Sequence, residues 1–534
     1  MPARPVEVEL ALFTHRFAAI AAEMGEMLQR TALSTNVRDR LDFSCALLDR
    51  EGRLVVNAPH IPVHLGALGL CVRKVAAHLE MRPGDTVVTN HPGFGGSHLP
   101  DITVITPVFQ FPEGGELLGY VANRCHHAEI GGIRSGSMPP SARFLVEEGV
   151  VLEPLHLVRG GEARWEDVRE RLTSGPWPSR TPDENLADLH AALAANLRGV
   201  EGLRQLAAQH GLESVHHYMD ALRRDATRKI SMALSGLRGS FCAEQCLDDG
   251  TLLRLAVECG EDQDGPRCVI DFEGSGDVHP GNLNATPAIV RSAVLYVLRL
   301  LVARRSPDAD VPLNEGLFEP VELRLPGSSL LSPDFSGPAE GLPAVVGGNV
   351  ETSQRVVDTL LHAFDLGACS QGTMNNVLFG DDTFGYYETV CGGTGAGDGF
   401  DGTSAVHSHM TNTRITDPEI LEQRYPVRLE EFAIRHGSGG DGHHRGGDGV
   451  VRRLRFLRDV ELSILSQHRV EQPYGLHGGG PGTKGRQILV HPDGSETRLA
   501  GISQADVRAG DLLVLETPGG GGWGRSSRHD ERVR

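Results

Sequence analysis

The sequence has no uninterrupted apolar run of about 18 residues, so nothing in it reads as a membrane-spanning helix. Its opening stretch, MPARPVEVELALFTHRF, carries acids where a secretory leader has an apolar centre, and the expected location is the cytoplasm. Basic residues are outnumbered: 51 Lys and Arg against 70 Asp and Glu give a net charge of −19. That is the wrong sign for covering a phosphate backbone or an anionic membrane, so neither nucleic acid nor membrane is an expected partner. Cysteine is dilute, nine in 534 residues. The odd count reads as reduced thiols, mostly in the core, rather than as a disulfide framework. The nearest approach to metal spacing among them is Cys242-x3-Cys246, and the next cysteines, Cys259 and Cys268, add no second pair, so zinc is not expected there. No G-x4-G-K-[ST] phosphate loop and no G-x-S-x-G elbow occurs, which argues against ATP chemistry of the P-loop kind and against an ordinary serine hydrolase. The G-x-G-x-x-G at Gly437 to Gly442 leads into HHRGGDG rather than into a helix and so lacks the dinucleotide-binding context.

What is present is a globular composition, 40% apolar and 23% charged, in a chain long enough for two to four domains. Glycine is the outlier, 66 of 534 residues or about 12% against a usual 7% or so, which implies many turns and close backbone approaches. The 24 histidines cluster beside glycines, which directs attention to loops.

Apolar positions at helical spacing (Leu10, Phe13, Phe17, Ile20, Met24, Leu28) predict an amphipathic helix over Glu7 to Ala32. Phe43 to Leu48 and Arg53 to Asn57 read as a hairpin, followed by a proline-framed loop, a helix from Gly66 to Leu79 and a strand from Thr86 to Thr89. The segment NHPGFGGSHLPD, Asn90 to Asp101, has neither period and reads as a loop between that strand and one over Ile102 to Phe109. A strand from Leu117 to Asn123 then runs into a second loop, RCHHAEIGG, Arg124 to Gly132. Helical patterning dominates Pro182 to Leu237, strands return from Thr251 to Phe272, and helices are expected over Pro287 to Val302 and Thr352 to Phe364. Beyond Gly392 short apolar runs between glycines predict β structure, and Ser526 to Arg534 reads as a disordered tail. The expected fold is mixed α/β (α+β) and multi-layered. Its parts are an α/β N-terminal part (1–160) bearing the histidine loops, a helical segment (161–245), an α/β middle (246–390) and a glycine-dense β part (391–525).

The strongest chemical signal is His98-x2-Asp101 together with His126-x2-Glu129, one pair at each strand end. Imidazole and carboxylate bind a first-row divalent ion and leave it able to activate water, and adjacent strand ends can converge on one point. The competing reading is loop histidines that cap backbone groups. His60 and His64 on the proline-framed loop are weaker candidates. His407 and His409, in AVHSHMTNT, alternate as on a strand and so are expected to point the same way. The glycine clusters Gly392 to Gly399, Gly437 to Gly449, Gly478 to Gly482 and Gly519 to Gly522 could cradle an anion, but turns are the expectation for most of them.

Longer segments carry more. NHPGFGGSHLPDITVITPVF, CHHAEIGGIRSGSMPP, GYYETVCGGTGAG, VHSHMTNTRITDPEILEQRYPV, SGGDGHHRGGDGVVR and TPGGGGWG resemble, in this order, the hydantoinase B/5-oxoprolinase family, and LDFSCALLDREG with HIPVHLGAL resembles its N-terminal part. The likeness runs from about residue 5 to about 524, and within the family it is closest to the 5-oxoprolinase version. The resemblance implies a partnership: an A-type subunit or domain of the actin-like ATPase fold activates the carbonyl of a cyclic amide with ATP, and the B-type chain completes ring hydrolysis. It implies a small cyclic amide substrate (5-oxoproline, or hydantoins and N-methylhydantoins), a hetero-oligomer, and a divalent metal (Mn, Zn or Fe). The related acetone carboxylases use a similar metal-holding subunit and supply an alternative reading; a non-catalytic assembly subunit is a third.

By position, the implied metal ligands are His98, Asp101 and His126. Glu129 stands where most of the family carry aspartate, and it or His127 is the implied proton acceptor. Asn90, Arg124 or the Gly131-Gly132 backbone would then steady developing charge.

Overall fold

The protein is described here by a computed structural model, which covers residues 6–58, 61–263, 265–306, 311 and 313–526. His60 and all but the first residue of the expected C-terminal tail lie outside the described residues.

The site rests on a seven-stranded sheet in the order Leu54–Asn57, Phe43–Leu48, Gly114–His126, Asp101–Phe111, Thr86–Thr89, Leu155–Arg159, Glu162–Ala163, antiparallel at every pairing. Its two faces follow from the two-residue period of a strand. Val104, Val108, Val121 and Cys125 pack with Phe17, Met24 and Leu28 of the helix Val6–Thr31 and with Leu189 and Leu203 of the helix Pro182–His210. Ile105, Ala122 and Tyr120 face the other way, onto Leu68, Val72 and Val75 of the helix Ala67–His78.

The strand Gly114–His126 extends three residues beyond the expected Leu117 to Asn123 at its C-terminal end. The reason is pairing on both sides: Arg124 opposes Ser44 and Thr103, and His126 opposes Asp101, so the ladder continues where the sequence pattern has already turned polar. Residues 161–245 are not purely helical, since Gly239–Cys246 is a strand whose partner, Leu252–Asp262, lies further along the chain. That pair belongs to a four-stranded sheet, completed by Gly265–Asp271 and, in parallel, Val321–Arg324, against which the helices Pro287–Arg305 and Ser353–Ala363 build the largest core.

Two further sheets close the chain. One joins Phe384–Thr389 and Asn376–Asp381 to Val460–Leu465 and Ile502–Val507, and so spans the 390/391 division suggested by the sequence; the other has five strands from Val427 onward. Phe379, Tyr386, Leu454, Phe456 and Leu515 form their shared core.

The glycine clusters do not act as separate turns. Segments near 393–396, 439–449, 475–480 and 519–522 lie against one another and exchange backbone hydrogen bonds, for instance Gly520 N to Gly447 O at 2.9 Å, Gly440 N to Gly520 O at 2.8 Å and Gly522 N to Gly480 O at 2.9 Å. A Cβ on Gly393 would stand 1.9 Å from the Gly447 carbonyl oxygen, and one on Gly520 1.9 Å from that of Thr394. Only glycine permits these chains to touch, and the amides that an anion would have needed are spent on neighbouring carbonyls. Among the described residues no helix is long and apolar enough to cross a membrane.

Candidate metal centre

Asp101 opens one strand of the seven-stranded sheet and His126 ends its neighbour, and the two are register partners. Their side chains therefore project from the same face, and Asp101 Oδ1 lies 3.4 Å from His126 Nδ1. His98, three residues before Asp101, folds its ring back so that Nδ1 stands 3.1 Å from Asp101 Oδ2. His98, Asp101 and His126 thus offer donor atoms that all lie within 4.8 Å of one another, each side chain almost wholly buried.

His64, on the short 3-10 turn Pro62–His64, completes the cluster: its Nε2 lies 3.2 Å from Asp101 Oδ2 and its Nδ1 2.9 Å from Ser44 Oγ. Ser97 donates its hydroxyl to the same Asp101 oxygen at 2.5 Å. Opposite, the Tyr387 ring stacks on His126 with centroids 4.6 Å apart, and the Arg40 guanidinium lies over that tyrosine ring, 4.8 Å from its centroid.

The cluster lines a cavity of about 20 Å³ together with Asp42, Asn349, Thr411 and the apolar Val350, Met374 and Met410. Such a space holds one ion or one water and not a five-membered ring.

The buried donors could hold a cation. His98 Nδ1 and Nε2, His126 Nε2 and Asp101 Oδ1 have no hydrogen-bond partner among the described residues, although each is shut off from solvent. Burial alone would raise the Asp101 carboxyl, but the imidazoles of His98, His64 and His126 packed around it hold it well below its ordinary value. Burial lowers His126, against the pull of Asp101 and Asp42. An ionised carboxylate beside a neutral imidazole is the state in which both groups ligate a divalent ion.

The other residues singled out in the sequence lie around this point. Strand parity sends His127 to the opposite face from His126, where its Nδ1 lies 3.3 Å from Asn185 Nδ2 and burial lowers its pKa to about 4. Glu129 is fully engaged elsewhere: one oxygen accepts from Gly131 N at 2.6 Å and Arg180 Nη1 at 3.0 Å, the other from Gly136 N at 2.8 Å. Asn90 bridges its own loop to residues 150–152, donating to the carbonyls of Leu99 and Val150 and accepting from Leu152 N. Arg124 donates to Thr103 Oγ1 at 2.8 Å, Gly95 O at 2.9 Å and Ser97 Oγ at 3.5 Å. Its link to the cluster runs through Ser97. The proton-transfer and charge-stabilising roles expected of these four groups are thus not matched by free polar atoms at the cavity.

His407 and His409 do not share a strand face. Both sit in irregular chain, His409 with a left-handed φ of 59° and its Nε2 2.9 Å from Asp358 Oδ1. Sequence reasoning placed Ser97 and Tyr387 in no role; Ser97 had a signal in its position four residues before Asp101, whereas Tyr387 reaches the site only through tertiary packing. Cys259 and Cys268, without paired spacing in the sequence, are cross-strand partners with Sγ atoms 3.4 Å apart.

A family model described as Hydantoinase B/oxoprolinase matches residues 6–526. Over 97% of its length the chain is 46% identical to 5-oxoprolinase 1 of Arabidopsis thaliana, of which the match covers 42%. Likewise it is 44% identical to a 5-oxoprolinase of Saccharomyces cerevisiae, covering 97% of this chain and 41% of that protein. It therefore spans about two fifths of the length of these relatives. The fold is shared with the ATP-dependent caprolactamase from Pseudomonas jessenii, with a TM-score of 0.86 and 24% identity over 99% of this chain and 94% of the other.

Proposed function

The chain belongs to the hydantoinase B/oxoprolinase family, and on that premise we propose that it is the ring-opening part of an ATP-dependent cyclic amidohydrolase that converts 5-oxoproline to glutamate. The observation that carries the reading is the 46% identity to a 5-oxoprolinase across 97% of the chain. The intact buried cluster of His98, Asp101 and His126 supports it.

The ATP-using step is assigned to an A-type partner of the actin-like ATPase fold. This sequence carries no P-loop, and the 5-oxoprolinases it matches are more than twice its length. Phosphorylation of the lactam oxygen gives the ring carbon a good leaving group. Water then adds to that carbon, the C–N bond breaks as the ring nitrogen takes a proton, and a second water hydrolyses the resulting acyl phosphate to the carboxylate and inorganic phosphate. A divalent ion held by His98, Asp101 and His126 would supply Lewis-acid polarisation and lower the pKa of water.

The remaining residues hold this centre in place. Asp101 keeps its charge through His64 and Ser97, and Arg124 fixes Ser97 and the Gly95 backbone. Asn90 and Glu129 tie down the two loops that bear the histidines.

The test combines the chain with its A-type partner and follows ADP and ring-opened product from 5-oxoproline, hydantoin and N-methylhydantoin, with and without Mn2+ or Zn2+. Glutamate formed in step with ADP, and lost in His98→Ala with the fold intact, is the expected result. Turnover of hydantoins alone would replace the substrate. Product formation that needs bicarbonate would favour a carboxylase instead, and full activity in His98→Ala would remove the cluster from the reaction.

A further inference from the structure

A second set of ligand-type side chains meets where three segments cross: Asp358 on the helix Ser353–Ala363, Cys369 in the chain beyond it, and His468 just after the strand Val460–Leu465. All three are fully buried. Cys369 Sγ and His468 Nε2 stand 3.5 Å apart, and with an Asp358 oxygen all three donors fall within 4.8 Å of one another. An ion bound tetrahedrally at zinc-like bond lengths sets its sulfur and nitrogen ligands about 3.5 Å apart.

Two features of the surroundings point to an ion rather than to a thiol resting on an imidazole. His468 Nδ1 lies 2.9 Å from the Glu471 carbonyl oxygen, which takes the ring N–H and leaves the Nε2 lone pair facing Cys369. Asp358 Oδ1 accepts from His409 Nε2 at 2.9 Å and Ser370 N at 3.1 Å, while the buried Oδ2 has no hydrogen-bond partner among the described residues. Gly372, whose φ is 58°, packs directly against these atoms. A Cβ there would lie 2.4 Å from His468 Nε2, 2.6 Å from His468 Cδ2 and 2.9 Å from Asp358 Oδ2, so only glycine fits against these donors. The Arg355 guanidinium lies alongside, with Nη1 3.5 Å from His468 Nδ1. A thiolate and a carboxylate together cancel the charge of a divalent ion, which leaves Arg355 beside a neutral centre.

We propose that Asp358, Cys369 and His468 form a second, sulfur-containing site for a zinc-type divalent ion, separate from the His98, Asp101 and His126 centre. A mixed sulfur, nitrogen and oxygen donor set suits a borderline-soft ion, and binding releases the proton of the Cys369 thiol. Its role is structural. It pins the helix Ser353–Ala363 to the segment after Val460–Leu465, at the point where Gly521 N also bonds the Cys369 carbonyl and anchors the glycine-rich stack. Ligands 11 and 99 residues apart form no sequence motif, which is why the pattern is invisible before folding.

Cobalt distinguishes the two centres, because a thiolate ligand gives Co2+ an intense near-ultraviolet charge-transfer absorption that imidazole and carboxylate do not. The full chain produced in cobalt-supplemented medium is expected to show that band at an intensity corresponding to one thiolate-bound cobalt per chain. It should persist in His98→Ala and disappear in Cys369→Ser, with the far-ultraviolet circular dichroism of both variants unchanged. Absence of the band from the wild-type protein overturns the proposal whatever the variants do, and so does its survival in Cys369→Ser, which would place the sulfur ligand on another cysteine such as Cys259 or Cys268.

Discussion

Asp101 and His126 stand directly across from one another on adjacent antiparallel strands, and their side chains meet 3.4 Å apart. That register decides the centre. A slip of one residue would turn His126 toward the helix Pro182–His210 and bring His127 to the cavity instead. Four side chains from three segments, His64, His98, Asp101 and His126, then share one buried point.

Ser97 tests whether the surrounding hydrogen bonds tune that point. Its hydroxyl lies 2.5 Å from Asp101 Oδ2 and is itself held by Arg124. Partners that orient a ligand are worth about 10 to 100-fold in metal affinity. Ser97→Ala is therefore expected to weaken Mn2+ or Zn2+ binding by that factor in calorimetric titration while the unfolding midpoint stays close to wild type. An unchanged dissociation constant would remove Ser97 from the centre.

The third and fourth sheets are joined by a fully buried pair. Arg452 meets Glu388 through two bonds, Nε to Oε1 at 2.7 Å and Nη2 to Oε2 at 3.0 Å. Removing one partner leaves an uncompensated charge in the interior, so Glu388→Gln should cost about 3 to 5 kcal/mol in urea unfolding. Replacing both residues by apolar side chains of similar volume should recover most of that loss. A single variant as stable as wild type would mean that the pair contributes nothing.

The glycine stack makes a steric prediction with an internal control. Gly393→Ala places a methyl 1.9 Å from a carbonyl oxygen that is itself fixed by hydrogen bonds. A loss of about 3 kcal/mol or more is expected, at or beyond the upper end of overpacking costs. Gly260→Ala, where nothing lies within 4 Å, should change stability by less than about 0.5 kcal/mol. Equal effects at the two positions in parallel thermal melts would contradict the close approach.

Glu148 gives stability a pH dependence of its own. It is buried and accepts from Val345 N and Val346 N at 3.0 and 2.9 Å, and burial raises its pKa to about 8 against those two bonds. Because the folded value lies above the unfolded one, its contribution is full below about pH 4.5 and is lost as pH rises toward 8, by up to about 1.4 kcal/mol per unit. Glu148→Gln removes this dependence. Its melting temperature should gain on wild type steadily from pH 5 to pH 8, whereas parallel curves would show that Glu148 titrates normally.

The helix at the N-terminus, the first hairpin and the strands around the histidine loops were legible because each has a local cause. Leu10, Phe13, Phe17 and Met24 recur at helical spacing, and β-branched runs such as Asp101–Phe111 need no distant partner to be recognised. The strand Gly239–Cys246 was not legible, because its alternation is interrupted and its stability comes from Leu252–Asp262. The glycine clusters were visible as composition, but their mutual packing was not, since each needs the others to be explained.

The sequence by itself determined which donor side chains the histidine loops carry. His98, Asp101 and His126 stand in segments whose order and length identify the family, and side-chain type alone makes them donors for a divalent ion. Only the tertiary structure decided which neighbours join them. Strand parity separates His126 from the adjacent His127, long-range packing brings Tyr387 and His64 to the cavity, and chain crossings far apart in number place Asp358, Cys369 and His468 together. These choices depend on register and burial, which are set by what a residue faces after folding and not by what precedes or follows it in the chain.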